Sequence, residues 1–297
     1  MRRQRPNARS RLDDCGDPAG PNTEQRAREP MLPLALFRRP AFTGVQLAAF
    51  AVSGSVFSLF LYLTLYLQNY LGYSPLAAGV RYLPLTLAPL FLAPLAGTLI
   101  GRVHARLLIA IGLALSGGGL IWMAGVGATD DWTGLLGRLV IAGAGIGLLN
   151  PVIADVALRV VPREQSGMAA GINDTFRQVG VAVGVALWGA IFSRGADKVA
   201  EVAAGTPAAT GDRPRELVQA ASSGNLDQAL SALPPHARES LAHAAREGFL
   251  AGLNDILQMG AGLALAGAVL ALWLVRQQDV EVVAGEALEV APDPSPA

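Results

Sequence analysis

Four polar side chains, Asn173, Asp174, Arg177 and Gln178, fall within two helical turns of one long apolar run. An ionisable group is costly in hydrocarbon, so such residues normally face a cavity or a partner. At helical spacing Asn173 and Arg177 are i,i+4 and share a face, while Asp174 and Arg177 are i,i+3, close enough to pair. Two readings stay open: a polar wall lining a cavity and serving coupling or gating, or a neutralised pair that locks helix packing. Asp155, next to Arg159 at i+4, is a further candidate for holding a proton or closing a gate. Other chemistry is poorly supplied. Cys15 is the only cysteine, and His104, His236 and His243 are scattered, so neither a metal site nor a cofactor is expected. No nucleophile–base set lies in any apolar run, which argues against an enzyme. Lys+Arg and Asp+Glu balance at 23 each, leaving no basic field for nucleic acid.

The elements that must position these residues are membrane spans. Of 297 residues, 52% are hydrophobic and 15% charged, whereas soluble domains run near a quarter charged. A bilayer core of about 30 Å needs about 20 apolar residues in helical form. Six stretches qualify: Phe42–Leu67, Ala77–Ile100, Leu107–Gly127, Gly134–Leu158, Gly167–Phe192 and Phe249–Val275. Backbone groups in lipid must be satisfied within the segment, so these are helices. The fold expected is all-α, with about six transmembrane helices.

Arginine placement sets orientation. Arg38 and Arg39, Arg102 and Arg106, Arg159 and Arg163, and Arg276 mark one side, while QNYLGYSP around Gln68 and ATDDW around Asp130 and Asp131 carry no Lys or Arg. Both termini are therefore expected in the cytoplasm. The expected organisation is a disordered arm over 1–30, five spans within 31–192, a long outer loop over 193–248, a sixth span over 249–276 and a disordered tail over 277–297. Within the outer loop, Arg215–Ala232 and Pro235–Arg246 read either as amphipathic surface helices or as an Ala-rich connector.

Gly143, Gly145 and Gly147 sit mid-span, where glycine weakens a helix but lets another backbone approach. Gly180 and Gly184 repeat a small-xxx-small spacing one span later. GAGIG is a lookalike of the dinucleotide fingerprint, but no strand precedes it and Pro151 interrupts the helix that should follow. Pro84, Pro89, Pro94 and Pro151 are expected to kink their spans. Arg81 and Arg138 lie about one turn from the outer surface, within snorkelling reach. Asp255 is near the outer end of the last span. Tyr62, Tyr66, Tyr70, Tyr73, Trp122, Trp132 and Trp273 fall mostly at span ends, as an interfacial belt predicts.

The loop GTLIGRVHAR, from Gly97 to Arg106, resembles the cytoplasmic gate loop of the major facilitator superfamily, G-x-L-x-D-R-x-G-x-R. Gly97, Leu99, Arg102 and Arg106 match, while Gly101 replaces the acid and His104 the second glycine. PMLPLALFRRPAF, LYLQNYLGYSPLAAGVRYLP, GAGIGLLNP and VPREQSGMAAGINDTFRQVGVAVGVALWGAIF follow in order. Together they resemble the last six helices of the fourteen-helix drug:proton antiporters, the EmrB/QacA subfamily, over about residues 25–277.

That resemblance implies one half of the superfamily fold, in a bilayer, with protons and a small amphipathic compound as its solutes. It implies proton-coupled efflux of drugs or amphipathic metabolites. Because six spans are fewer than fourteen, a second reading is a truncated or half transporter that cannot transport alone. It would pair with an N-terminal half or a second copy of itself. With 22 Arg to one Lys and abundant Ala and Gly, the composition is that of a GC-rich bacterial genome, which points to the plasma membrane.

Overall fold

The structure is a computed structural model that describes residues 34–125, 133–192, 194, 195, 197, 199, 213–223, 225–231 and 235–275. The arm over 1–30, the acidic loop at Asp130 and Asp131, Trp132, Arg276 and the tail lie outside the described residues. Within them the chain is helical, and six helices are long and apolar enough to cross a membrane. They are α1 (Pro40–Tyr70), α2 (Pro75–Leu99), α3 (Ala105–Met123), α4 (Thr133–Arg159), α5 (Ser166–Phe192) and α8 (Pro235–Leu274). Two shorter helices, α6 (Arg213–Ser223) and α7 (Leu226–Ser231), precede the last.

Local rules set the helix boundaries. Pro40 opens α1 and Pro75 opens α2, at the first-turn position where the missing N–H costs nothing. Ser74 caps α2 by accepting the Ala77 N–H at 3.3 Å. At the other end of α2, Gly101 takes φ 85° in the turn before α3, a left-handed conformation open to glycine. Gly101 stands where the gate-loop pattern has an acid, so this turn and an acidic side chain compete for one position. Two π-helical segments, Ser53–Phe57 and Tyr66–Tyr70, interrupt α1.

Packing centres on α4, which lies against α2 and α3, while α8 packs on α3 and α1, and α5 packs on α1. Glycines set the spacing. A Cβ on Gly143 would run into the Leu85 carbonyl of α2, and one on Gly147 would sit 2.6 Å from Pro89 Cα of the same helix. Gly145 faces the other way, against Ser116 and the Gly112 carbonyl of α3. The run GAGIG thus lets α4 touch two helices on two sides. Gly180 performs the same task between α5 and α1, where a Cβ would lie 2.6 Å from the Phe50 carbonyl oxygen. Gly184, one turn on, is buried.

Burial is uneven. Of the apolar window of α1, 65% is buried inside the chain, against 17% for α2 and 28% for α5. The exposed stripe of α2 is bulky and apolar, with Leu83, Leu87, Leu90, Phe91 and Leu95. On α5 one exposed stripe is small and polar, with Ala170, Asp174, Thr175, Gln178, Ala182 and Ala186, and beside it Val179, Val183 and Leu187 are exposed as well. The α2 stripe suits lipid; the polar stripe of α5 does not.

The last helix is longer than its apolar run. Its 40 residues make it about 60 Å long, twice a bilayer core. Phe249 stacks on Tyr70 at 5.6 Å and meets Phe192 edge-on at 5.3 Å, so the turns before Phe249 project past the ends of α1 and α5. Against that projection packs α6, which also touches the Tyr66–Tyr70 segment and buries Leu217 and Val218. Tyr62 and Tyr66 are themselves buried, at 6% and 1% exposure. These two belong to the inter-helix packing and not to an interfacial belt.

Replacing Gly145 by Val should destabilise the bundle by about 1–3 kcal/mol through overpacking against α3. Gly118→Ala, with nothing within 4 Å of the added Cβ, should not. Thermal unfolding of the two variants in detergent makes the comparison.

Candidate functional site

The polar residues of α5 reach two neighbouring helices. Asn173 Nδ2 donates to Gln46 Oε1 of α1 at 3.0 Å. One turn further on, Arg177 Nη1 donates to Asn150 Oδ1 of α4 at 3.2 Å. The same guanidinium carbon lies 5.9 Å from the centroid of the Phe57 ring in α1. Arg177 is the twelfth residue of α5, hence about 17 Å along it, near the middle of a 30 Å bilayer core.

Asn173, Asp174 and Arg177 line a cleft of about 420 Å³ together with Ala154, Ala157, Leu158 and Ala170. The cleft lies between α4 and α5. Its walls are small residues on both sides, which leaves room for the three polar groups to be wetted.

The i,i+3 spacing predicts an Asp174–Arg177 pair. The structure does otherwise: Asp174 has neither an ion pair nor a hydrogen bond among the described residues, and its side chain is exposed. Arg177 instead turns to the Asn150 amide and the Phe57 ring on neighbouring helices. A neutral acceptor and an aromatic face hold the cation in place. The lock between α5 and α4 is therefore a guanidinium–amide bond, and the carboxylate is left over. Gln178 lies on the exposed face, with no hydrogen bond among the described residues.

Two participants, Gln46 and Asn150, escape sequence reasoning. Gln46 is fully buried, and its Nε2 finds no acceptor among the described residues. A lone amide in an otherwise apolar α1 was the available signal, since buried polar groups are normally bonded. Asn150 stands beside Pro151 within GLLNP, where the glycines and the proline dominate the pattern.

The seam between α1 and α5 is fastened at each level. Phe37, in the 3-10 turn Leu34–Arg38 just before α1, meets Phe176 at 5.8 Å, Gln46 holds Asn173, Gly54 and Gly180 cross closely, and the Trp188 indole N–H donates to the Gly54 carbonyl at 2.7 Å. Tyr62 then donates to the Val185 carbonyl at 3.1 Å. The π-helical turn at Ser53–Phe57 departs from the i→i−4 pattern, and a carbonyl within it is the one the indole finds.

At the arginine-rich end, Gly101 of the α2–α3 loop and Arg106 in the first turn of α3 line a second, smaller cavity of about 140 Å³ with Asp155, Arg159 and Val275. Asp155 Oδ1 accepts from Arg159 Nε at 2.7 Å. Arg102 and Gly97 are exposed. Arg39 Nη1 donates to the Val160 carbonyl at 2.7 Å, tying the start of α1 to the end of α4. Arg81, at the opposite end, sits 3.5 Å over the Tyr73 ring.

A bundle of apolar helices with one uncovered polar helix face at mid-depth is the arrangement of a polytopic membrane protein that handles a solute. The chain belongs to the Major Facilitator Superfamily, whose family model matches residues 7–185. It is 34% identical over 170 residues to the multidrug resistance protein Stp of Mycobacterium tuberculosis strain H37Rv, covering 57% of this chain and 32% of the relative. It is 29% identical over 273 residues to the tetracenomycin C resistance and export protein of Streptomyces glaucescens, covering 87% and 48%. The tetracycline resistance determinant of Streptomyces rimosus is 29% identical over 278 residues, covering 88% and 79%. The chain thus spans about half the length, or less, of the first two.

Gln46→Leu leaves the Asn173 amide without its partner and should cost about 1–3 kcal/mol of stability. Gln46→Leu with Asn173→Leu should recover part of that loss, because both unmet amides are gone. Thermal unfolding of the two variants in detergent reads the difference.

Proposed function

We propose that the chain is the C-terminal six-helix half of a fourteen-helix drug:proton antiporter, exporting amphipathic compounds against proton entry across the plasma membrane. The observation that carries this reading is the face of α5. It presents Asp174 and Gln178 uncovered near mid-span, beside a 420 Å³ cleft that Arg177 and Asn173 share. A charge at that depth needs water or a second protein surface. In this reading both are supplied by a path running between this bundle and another, with α5 as the wall that meets it.

Asp174, Arg177, Asn173 and Gln178 then serve coupling and solute passage. Gly97, Arg102, Arg106 and Asp155 form the gate on the cytoplasmic side. Gly143, Gly145, Gly147, Gly180, Gly184 and Pro151 keep the helices close and bent. Both termini lie in the cytoplasm, residues 193–248 lie outside the membrane on the other face, and 249–276 form the sixth span. The named relatives are resistance and export proteins for antibiotics, which supports a small antibiotic-like or dye-like compound as the solute.

A second reading is favoured by the share of each relative that is matched, 32% and 48% for Stp and the tetracenomycin exporter. Here the six spans do not transport alone and work only with a complementary bundle, either an N-terminal half or a second copy. The two readings differ in whether the chain by itself changes dye accumulation.

Efflux-deficient cells expressing the chain, alone and with a complementary half, should show protonophore-sensitive dye efflux only where a complete path forms. Arg177→Ala and Asp174→Asn should each lower that efflux by about tenfold or more, the size of one lost charged interaction. Unchanged efflux at equal protein level would remove the cavity role of α5.

A further inference from the structure

We infer that Asn150 is a positioning residue that keeps Arg177 away from Asp174, so that a carboxylate without a counter-charge faces the α4–α5 cleft. Asp174 and Arg177 stand i,i+3 on one helix, a spacing at which opposite charges pair readily. They do not pair here. The guanidinium donates to Asn150 Oδ1 at 3.2 Å and lies 5.9 Å from the Phe57 ring centroid, held by two neighbours on α4 and α1. Both charges border the same cleft, within reach of each other along one helix.

The choice of a neutral amide matters. An aspartate at position 150 would bind the guanidinium more strongly, and an apolar residue would release it. Asparagine supplies one acceptor and no charge, which fixes the guanidinium without altering the net charge of the cleft. Asn173, one residue before Asp174, is anchored to Gln46 by its 3.0 Å bond. The backbone at Asp174 is thereby pinned to α1, while Arg177 is drawn toward α4. The carboxylate that results is open to a proton or to a cationic group entering the cleft. That consequence rests on the antiporter reading; the positioning itself does not.

The test reads Asp174 directly. A hydrophobic carbodiimide adds to a membrane carboxyl that can take up a proton and reacts poorly with one held in an ion pair. The full chain is treated in membranes, and adduct on the peptide carrying Asp174 is quantified by mass spectrometry, with the Asp155 and Asp255 peptides as internal references. Asn150→Leu should lower labelling at Asp174 by roughly fivefold or more, as a new Asp174–Arg177 pair forms. Asn150→Asp, which retains an acceptor, should leave it high. Arg177→Gln combined with Asn150→Leu should restore it, since the released cation is gone.

Labelling that Asn150→Leu leaves unchanged overturns the inference, as does an equal loss in Asn150→Asp. Loss that persists in the double variant assigns Asn150 a packing role and overturns it too. Should Asn150→Leu fail to assemble, Asn150→Ala in the same pair of backgrounds gives the same reading. Transport is measured in parallel. Normal efflux in Asp174→Asn with the expected labelling pattern would end the coupling role and leave the positioning intact.

Discussion

A charge inside a membrane-spanning helix persists only where water or a partner meets it, and in this bundle that constraint falls on α5. Its arginine is met by the Asn150 amide and the Phe57 ring, and its Asn173 by Gln46. Its aspartate is met by no residue among those described. The rest of the architecture serves to hold this helix at a fixed height. Fasteners along the α1–α5 seam, from Phe37–Phe176 at one end to Tyr62–Val185 toward the other, make α1 and α5 one rigid pair. Facing them, α4 is pressed against α2 and α3 at glycines that let the helix backbones approach closely. The cleft between α4 and α5 lies where these two units meet.

This division has a physical logic. Helices in lipid gain nothing from hydrophobic burial against each other, so close van der Waals approach and hydrogen bonds must bind them. The α3–α4 and α2–α4 contacts use the first and carry almost no polar bonds. The α1–α5 contact uses both, with an indole, two amides and a phenol. The α4–α5 contact has one guanidinium–amide bond beside an open cleft. Of these four contacts, it is the one whose polar bond borders that cleft.

Much of this was legible in sequence. Six apolar runs of sufficient length gave six helices, because backbone satisfaction in lipid leaves no other choice. The glycine spacings foretold close approach, and the ordered motifs from Pro30 to Phe192 gave the family. Three things were not legible. The i,i+3 spacing of Asp174 and Arg177 fixes what each side chain can reach, but the partner was chosen by α4 and α1, which local sequence does not encode. Gln46 hid in an apolar run because one amide barely alters hydropathy. Tyr62 and Tyr66 stand near a span end and so read as interfacial, yet α5 and its neighbours cover them. The last helix also outran its apolar stretch, since Pro235 to Gly248 is helical for reasons of propensity and of packing against α6, not of lipid.

In the proposed function, the α5 face carrying Asp174 and Gln178 borders an aqueous path while the α2 stripe faces lipid. Single cysteines at Ala170, Gln178 and Ala182 of α5, and at Leu87, Phe91 and Leu95 of α2, in a Cys15→Ser background, test it most directly. Each is exposed in native membranes to a charged, water-soluble thiol reagent. Labelling on α5 that an exported dye protects against, and none on α2, is the expected result. Unreactive α5 positions, or reactivity equal on the two helices, would contradict it.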